Sequence, residues 1–514
     1  MRTLIDLAGC GFGRHIPVRA VPASTGTRRH FFSVVLLAAA LVAPTARCVA
    51  QNLTREQETA ITHLLTAQQS LTRVPGLALV MRRQGRIVYS RGRGIDGNGA
   101  PFTPDTPAYL GSLSKSFTAL AVMQLVAAGG VRLDEPVQTY LPDFILQDPR
   151  GRKITVRHLL QQTSGLTDRN LPDWTWPSPR TFVEATRRVQ KVTALASEPG
   201  THHAYHNANY MLLADIVERV SDETFARYLE RHVFVPAGMR SARAVSWMDE
   251  AADGVPRGHT FLLGNPLAVG GPRSFIGGAG GVISSAADLS RWLELFAHDG
   301  SSESGTRLLP TGTIAQMLRP ETDAPYQYQY GWIVREQGTR LIRHNGGLPT
   351  FTAHGAFAQD DSLSIAVVVN ASPANPAWTE IGENIVDGIV AILDGKTPTA
   401  QSGRMGLRVE AIFVAFTVLM LAYCAWLATR ANRWREQRRS VRDTAPLVRL
   451  WLRALLPPGI AVLLILLGLP ALVSFVESWS WLWLWYYSPA ITGCLWALAA
   501  ASSVVALLRV RSLL

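Results

Sequence analysis

Ser112 and Lys115, in the run Tyr109-Leu-Gly-Ser112-Leu-Ser-Lys115-Ser-Phe117, are the residues whose types and spacing could do chemistry together. On a helix, positions i and i+3 share a face, so this spacing brings an amine over a hydroxyl. A buried ammonium loses solvation, which favours the neutral amine that can accept a serine proton. The chain has only four lysines (115, 153, 191 and 396) among its 50 basic residues, the rest being arginine. Arginine is no base at neutral pH, so a lysine at this spot points to acyl transfer. Alone the pair has a plain alternative, a helix-capping serine followed by a surface lysine.

Two further motifs follow in order. Tyr205-His206-Asn207 lies in the run Glu198-Pro-Gly-Thr-His-His-Ala-Tyr205-His-Asn207-Ala-Asn-Tyr, and His344-Asn345-Gly346-Gly347 lies in a strand-like stretch. With these motifs the chain resembles the serine β-lactamase and penicillin-binding group, in its class C, esterase and D-peptidase branch. The resemblance covers about residues 53–395. It includes Ile154-Thr-Val-Arg-His-Leu-Leu-Gln-Gln-Thr-Ser-Gly-Leu166, Val235-Pro-Ala-Gly-Met239 and Gly277-Gly-Ala-Gly-Gly-Val-Ile-Ser-Ser-Ala-Ala-Asp-Leu289.

The resemblance implies an α/β fold, a β-lactamase/transpeptidase-like antiparallel sheet flanked by helices with an all-helical lobe, and a site in the cleft between. It implies Ser112 as nucleophile, Lys115 and Tyr205 handling its proton, and Asn207 binding the substrate amide and holding Lys115. The expected oxyanion donors are the backbone N–H groups of Ser112 and Gly347, with Gly346 beside them. His344 stands where many relatives carry lysine and Asn345 where a hydroxyl residue is usual, which weakens the expected grip on a substrate carboxylate. Gln162 replaces the usual histidine before Thr163-Ser164-Gly165, a change read as structural.

No cofactor is expected. His202, His203 and His206 invite a metal, but they surround the Tyr205 motif without a carboxylate cluster and read as solvated loop histidines. Gly277–Gly281 lacks the Gly-Lys-Ser/Thr ending of a phosphate loop.

Charge separates the chain into three parts. The net charge is +12. Residues 1–50 hold six arginines against one acid and residues 401–514 hold twelve against four, which leaves −1 for the 350 residues between. The basicity flanks apolar segments, the pattern of membrane topology rather than of a nucleic-acid footprint. Cys10, Cys48, Cys424 and Cys494 all lie outside residues 51–400, so that region has no internal disulfide and no cysteine metal site.

Residues 1–50 read as a signal peptide, with an apolar stretch Phe31–Ala43 and small residues before Gln51. Thr27-Arg28-Arg29-His30-Phe31-Phe32 resembles a twin-arginine motif and equally suits ordinary export. Residues 51–400 read as the hydrolase domain, and 401–514 as a membrane region with spans near 409–428, 455–476 and 488–508. Eight arginines between 430 and 453 place that loop and the C-terminus in the cytoplasm, with the catalytic domain outside. Trp479, Trp481, Trp483, Trp485, Tyr486 and Tyr487 then form an outer aromatic belt.

Within the central region, strands are expected at 76–82 and 86–91 around a Gln84-Gly85 turn, and Ser112 opens a helix running to Ala128. Residues 133–325 read as mostly helical. Strands follow at 330–334, 340–344, 351–356 and 363–370, then a helix at 378–393.

The expected protein is an exported, membrane-tethered serine hydrolase acting through an acyl-enzyme on an amide or ester. D-peptides, β-lactam-like compounds and esters are the expected substrates, with cell-wall D-amino-acid peptides implied by the resemblance. The rivals are a penicillin-binding-type receptor with slow deacylation, its spans relaying occupancy, and a catalytically silent binding module.

Overall fold

A computed structural model of the chain describes residues 52–171, 178–250, 254–321, 324, 326–336, 339–360, 362–371, 381–398, 404–429, 436, 439 and 489–513. The leader, the candidate span at 455–476, most of the arginine-rich loop and the aromatic belt lie outside them.

Helix α1 (Arg55–Thr72) starts at a capping box, in which Thr54 accepts from the Gln57 N–H and the Gln57 side chain bonds back to Thr54. Strands β1 (Gly76–Arg83) and β2 (Arg86–Gly94) form a hairpin whose turn residues Gln84 and Gly85 both have positive φ, as a primed two-residue turn requires.

The chain then leaves this sheet for more than 200 residues. The excursion holds β3 (Ala108–Tyr109), α2 (Ser114–Ala127), α3 (Val156–Leu160), α4 (Phe182–Val189), α5 (Asn207–Ser221), α6 (Phe225–Leu229) and β4 (Arg243–Ala244). It continues with β5 (Gly258–Leu262), β6 (Asn265–Val269), β7 (Val282–Ser284), α7 (Ala286–Ala297) and α8 (Thr313–Met317). The expectation of a mostly helical stretch holds for the lobe but missed the β5–β6 hairpin and the small sheet β3-β7-β4.

Strands β8 (Tyr326–Gln329), β9 (Trp332–Glu336), β10 (Ile342–Leu348), β11 (Phe351–Ala358) and β12 (Leu363–Val369) complete a seven-stranded sheet in the order β2-β1-β12-β11-β10-β9-β8. The sheet is thus assembled from the two ends of the domain, β1 lying antiparallel to β12. Sequence placed a strand from Tyr330. Instead Tyr330 and Gly331 have positive φ and turn the chain between β8 and β9.

Alternation along the central strands feeds two cores. Leu79 and Met81 of β1 with Ile365 and Val367 of β12 face α1 and α9 (Ile381–Leu393). Ala78 and Val80 with Ala366 and Val368 face the core that contains α2 and the helical lobe. Buried on both faces, these strands read as continuous apolar runs.

Beyond the domain, α10 (Arg404–Thr429) and α11 (Pro489–Leu513) pack on each other. Ala411–Thr429 and Pro489–Arg511 are long and apolar enough to cross a membrane.

Candidate active site

Ser112 sits in a single 3-10 turn, Gly111–Leu113, immediately before α2, rather than in the helix proper. The turn is held by the backbone of β10. A Cβ on Gly346 would lie 1.9 Å from the Leu110 carbonyl oxygen and 2.8 Å from the Ser112 nitrogen. Gly111, at φ +54°, faces the Gly347 nitrogen just as closely. These two glycines let the turn and the strand touch, which brings the Ser112 and Gly347 N–H groups to one place. Gly347 itself has open space where a side chain would be. Gly346 is buried and is therefore a close-approach residue, and Gly347 opens on the cleft.

Lys115 is the second residue of α2 and is fully buried. Its Nζ is 3.2 Å from Ser112 Oγ, 2.7 Å from Asn207 Oδ1 and 2.9 Å from the Ala279 carbonyl oxygen. Neighbouring side chains of α2 fix its backbone from three sides: Ser114 Oγ accepts from the Val282 N–H, Trp292 Nε1 donates to Ser116 Oγ, and Thr118 donates to the Gly278 carbonyl. Gly331 packs against the same turn, its Cβ position 2.6 Å from the Ser116 nitrogen. The i, i+3 spacing thus sets the amine beside the hydroxyl, inside a closely packed socket.

Tyr205 approaches from the helical lobe. Its ring centre is 4.7 Å from Lys115 Nζ, and the residue is 38% exposed, so it closes one side of the Ser112–Lys115 pair while facing the cleft. Asn207 is the first residue of α5, and its position follows from the cap before it. His206 caps α5 by accepting from the Ala208 N–H, and its Nε2 lies 2.6 Å from the Leu171 carbonyl. It is fully buried, not a solvated loop residue; His202 and His203 are the exposed pair.

Gln162 accepts from the His206 N–H and from Asn209, while its own carbonyl accepts from the Ala204 N–H. It therefore buttresses the Tyr205 motif, which is the structural role read for it. Among the described residues no group of three or more His, Cys, Asp or Glu could hold a metal ion.

His344 is 2% exposed on β10. Its Nδ1 lies on the Asn345 carbonyl and its Nε2 is 3.3 Å from the Tyr328 hydroxyl. Burial pushes its pKa down to about 3, so the ring is neutral at physiological pH. Nδ1–H then donates to Asn345, and Nε2 accepts from Tyr328. The imidazole meets the cleft beside Tyr205, with ring centres 6.4 Å apart, and through Tyr328, whose phenol burial raises well above its usual range.

Tyr328 is the site residue that sequence reading missed. It packs edge-on against Tyr205, with ring centres 5.8 Å apart, and against His344 at 5.5 Å. The alternating Tyr326-Gln-Tyr328-Gln ahead of Tyr330-Gly331 was the available strand signal.

A family model described as Beta-lactamase matches residues 61–388, which span all three motifs. Penicillin-binding protein 4 of Amycolatopsis lactamdurans is 32% identical over 338 residues, covering 62% of this chain and 87% of its own. Protein flp of Staphylococcus aureus (strain MW2) is 22% identical over 445 residues, 84% of this chain and 86% of its own. That alignment is longer than the central region and so runs into its flanks.

Among solved structures, the octameric penicillin-binding protein homologue from Pyrococcus abyssi superposes with a TM-score of 0.58 at 26% identity, covering 66% of this chain and 78% of that one. The D-amino acid amidase from Ochrobactrum anthropi SV3 shares the fold, with a TM-score of 0.55 at 21% identity over 66% of this chain and 99% of its own. This chain belongs to the Beta-lactamase family, the group of serine β-lactamases and penicillin-binding-protein-like hydrolases.

Proposed function

We propose that the protein is an exported, membrane-tethered serine hydrolase that cleaves an amide or ester through an acyl-enzyme on Ser112. The observation that carries this reading is the environment of Lys115 Nζ. A neutral amine has two N–H groups and one lone pair. Asn207 Oδ1 and the Ala279 carbonyl can only accept, so each takes an N–H of Lys115 and fixes Nζ 3.2 Å from Ser112 Oγ, close enough for the neutral amine to take the serine proton.

In this mechanism Ser112 Oγ attacks the substrate carbonyl carbon while its proton passes to Lys115. The carbonyl oxygen becomes an oxyanion facing the Ser112 and Gly347 N–H groups, the first of them at the start of α2 where the helix dipole favours negative charge. As the intermediate collapses, the bond to the leaving nitrogen or oxygen breaks, and that atom takes the proton through Lys115 and Tyr205. Water then adds to the acyl carbon, gives its proton to the same pair, and releases the acid with Ser112 restored. Asn207 holds Lys115 and offers its amide N–H group to the substrate.

The neutral, buried His344 offers a substrate carboxylate no fixed positive charge, which favours neutral amides and esters over acids at that end of the cleft. D-amino-acid peptides of the cell wall, or their amides and esters, are the substrate class proposed, in keeping with a domain outside the membrane. The apolar helices α10 and α11, with the arginines between them, support the tether, the arginine-rich loop lying in the cytoplasm.

The test is turnover of a p-nitrophenyl ester and labelling by a fluorescent penicillin, using the full chain in detergent beside Ser112→Ala. Ester hydrolysis that vanishes in the variant supports the hydrolase. A persistent Ser112 adduct without turnover would replace it with a receptor, and neither signal would point to a silent binding module.

A further inference from the structure

The β5–β6 hairpin packs on the domain through β5 and has a tip of unusual composition. Its two-residue loop is Leu263-Gly264, Leu262 pairing with Asn265 across it, and both loop residues have positive φ, +51° and +70°. A primed turn of this kind favours asparagine, aspartate or glycine at its first position, whereas a leucine there is strained. The strain gains no burial, because Leu263 is 43% exposed.

Leu262 and Leu267 lie on one face of the hairpin, as the pairs Leu262↔Asn265 and Thr260↔Leu267 require, and are 41% and 44% exposed. The opposite face is committed to the domain: Phe261 is buried in the α1–α9 core, and His259 bonds the Asn370 carbonyl. The tip is also held rigid. Arg73, the residue that ends α1, donates to Asn265 Oδ1 at 3.3 Å and lies at the Gly264 carbonyl.

Three exposed leucines on a braced, strained turn are an apolar wedge, and one contact identifies what it meets. Helix α11, long and apolar enough to span a bilayer, touches β5 of this hairpin. A span that leaves the membrane beside the hairpin holds the wedge at the bilayer surface. We propose that the Leu262-Leu263-Leu267 tip inserts into the lipid interface on the outer side, with the exposed Arg73 guanidinium at the level of the phosphates. This fixes the orientation of the catalytic domain over the membrane, which a flexible tether alone does not. The inference rests on the reading of α10 and α11 as spans.

The experiment uses the full chain with Cys10, Cys48, Cys424 and Cys494 replaced by serine, reconstituted in vesicles of phosphatidylcholine and phosphatidylglycerol. An environment-sensitive fluorophore is placed singly through Leu263→Cys, Leu419→Cys or Ser304→Cys, and quenched with lipids carrying a nitroxide on the acyl chain. Ser304 is the aqueous reference, since neighbouring Glu303 pairs with Arg82 at the far end of β1 from the Arg73-braced tip. Several-fold stronger quenching at 263 than at 304, together with strong quenching at 419, is the expected result. Quenching at 419 with none at 263 overturns the wedge and leaves the tether intact. No quenching at 419 removes the spans themselves, and the wedge with them.

If the label at 263 is shielded from an aqueous quencher yet untouched by the nitroxide lipids, a protein surface covers the tip and the lipid assignment fails. A second variant keeps the proposal independent of the label. Leu263→Asn relieves the turn, so it raises Tm in detergent by about 2 °C. In vesicles carrying Leu267→Cys, the same change lowers quenching at 267. A rise in Tm with undiminished quenching would make Leu263 irrelevant to insertion.

Discussion

The two walls of the cleft are built by different means. On the α2 side, Ser112 and Lys115 are fixed by backbone: Gly346 and Gly331 press against it, and buried hydroxyls of Ser114, Ser116 and Thr118 tie it to its neighbours. On the side of β8 and β9, the described residues pair β9 with β10 at Arg343↔Ile333 alone. Besides the turn at Gly331 and the buried Trp332, side chains hold β8 and β9 there. Arg343 bridges Glu336, Glu383 and Asp387, Gln161 donates to Gln329, and Tyr328 donates to His344. The proposed chemistry lies on the wall where little can move. The wall that would meet the rest of a substrate is held by contacts that can be exchanged one at a time.

The sharpest break of that contrast is at the nucleophile. Ser112→Ala is expected to lower kcat/KM by roughly 10^3-fold or more with Tm unchanged, as steady-state ester hydrolysis and thermal melting will check. Next comes the glycine pair. Gly346→Ala puts a methyl group where the Leu110 carbonyl already is, so it displaces β10 from the Ser112 turn and costs about 10^2-fold in kcat. Gly347→Ala has open space before it, so it keeps the wild-type Tm and changes KM instead. Equal effects of the two on Tm would dissolve the distinction between a packing glycine and one that faces the cleft.

The hairpin wall carries the pH dependence. His344 is neutral when folded, with its pKa near 3 against the ordinary 6.5, so the unfolded chain binds the extra proton below about pH 6.5. Its contribution to stability is complete above that value and is lost as pH falls toward 3, at about 1.4 kcal/mol per pH unit. Chemical denaturation of wild type and His344→Gln between pH 4.5 and 6.5 should show the shallower slope in the variant. Identical slopes would mean that His344 is solvated.

The smallest effect is expected from Tyr328→Phe, which removes the hydroxyl's hydrogen bonds to His344 and Tyr210 and keeps the aromatic packing. It costs about 1 kcal/mol of stability and raises KM more than it lowers kcat. A change in kcat as large as that of Gly346→Ala would show both walls to be equally involved in the chemical step.

Much of this was legible in the residues. The Ser112–Lys115 spacing, Tyr205, and the glycines after His344 are each local patterns, and the family resemblance needs only their order along the chain. The Gln84-Gly85 turn and the strands at β1, β11 and β12 follow from turn chemistry and short apolar runs. Tyr328 escaped because β8 is four residues long and Tyr330, taken for strand, turns the chain at positive φ. His206 looked like its two solvated neighbours because nothing local says that a histidine will cap a helix and find the Leu171 carbonyl.

Sequence by itself determined the nucleophile candidate, the family and the apolar C-terminal helices, because these depend on residue type and short-range spacing. Tertiary structure alone decided that Asn207 and the Ala279 carbonyl meet at Lys115, that Gly346 packs while Gly347 opens, and that His344 is buried behind Tyr328. Those partners lie 92, 164 and 16 residues away in the chain. Only closure of the fold, driven by burying both faces of the sheet, brings them within hydrogen-bond distance.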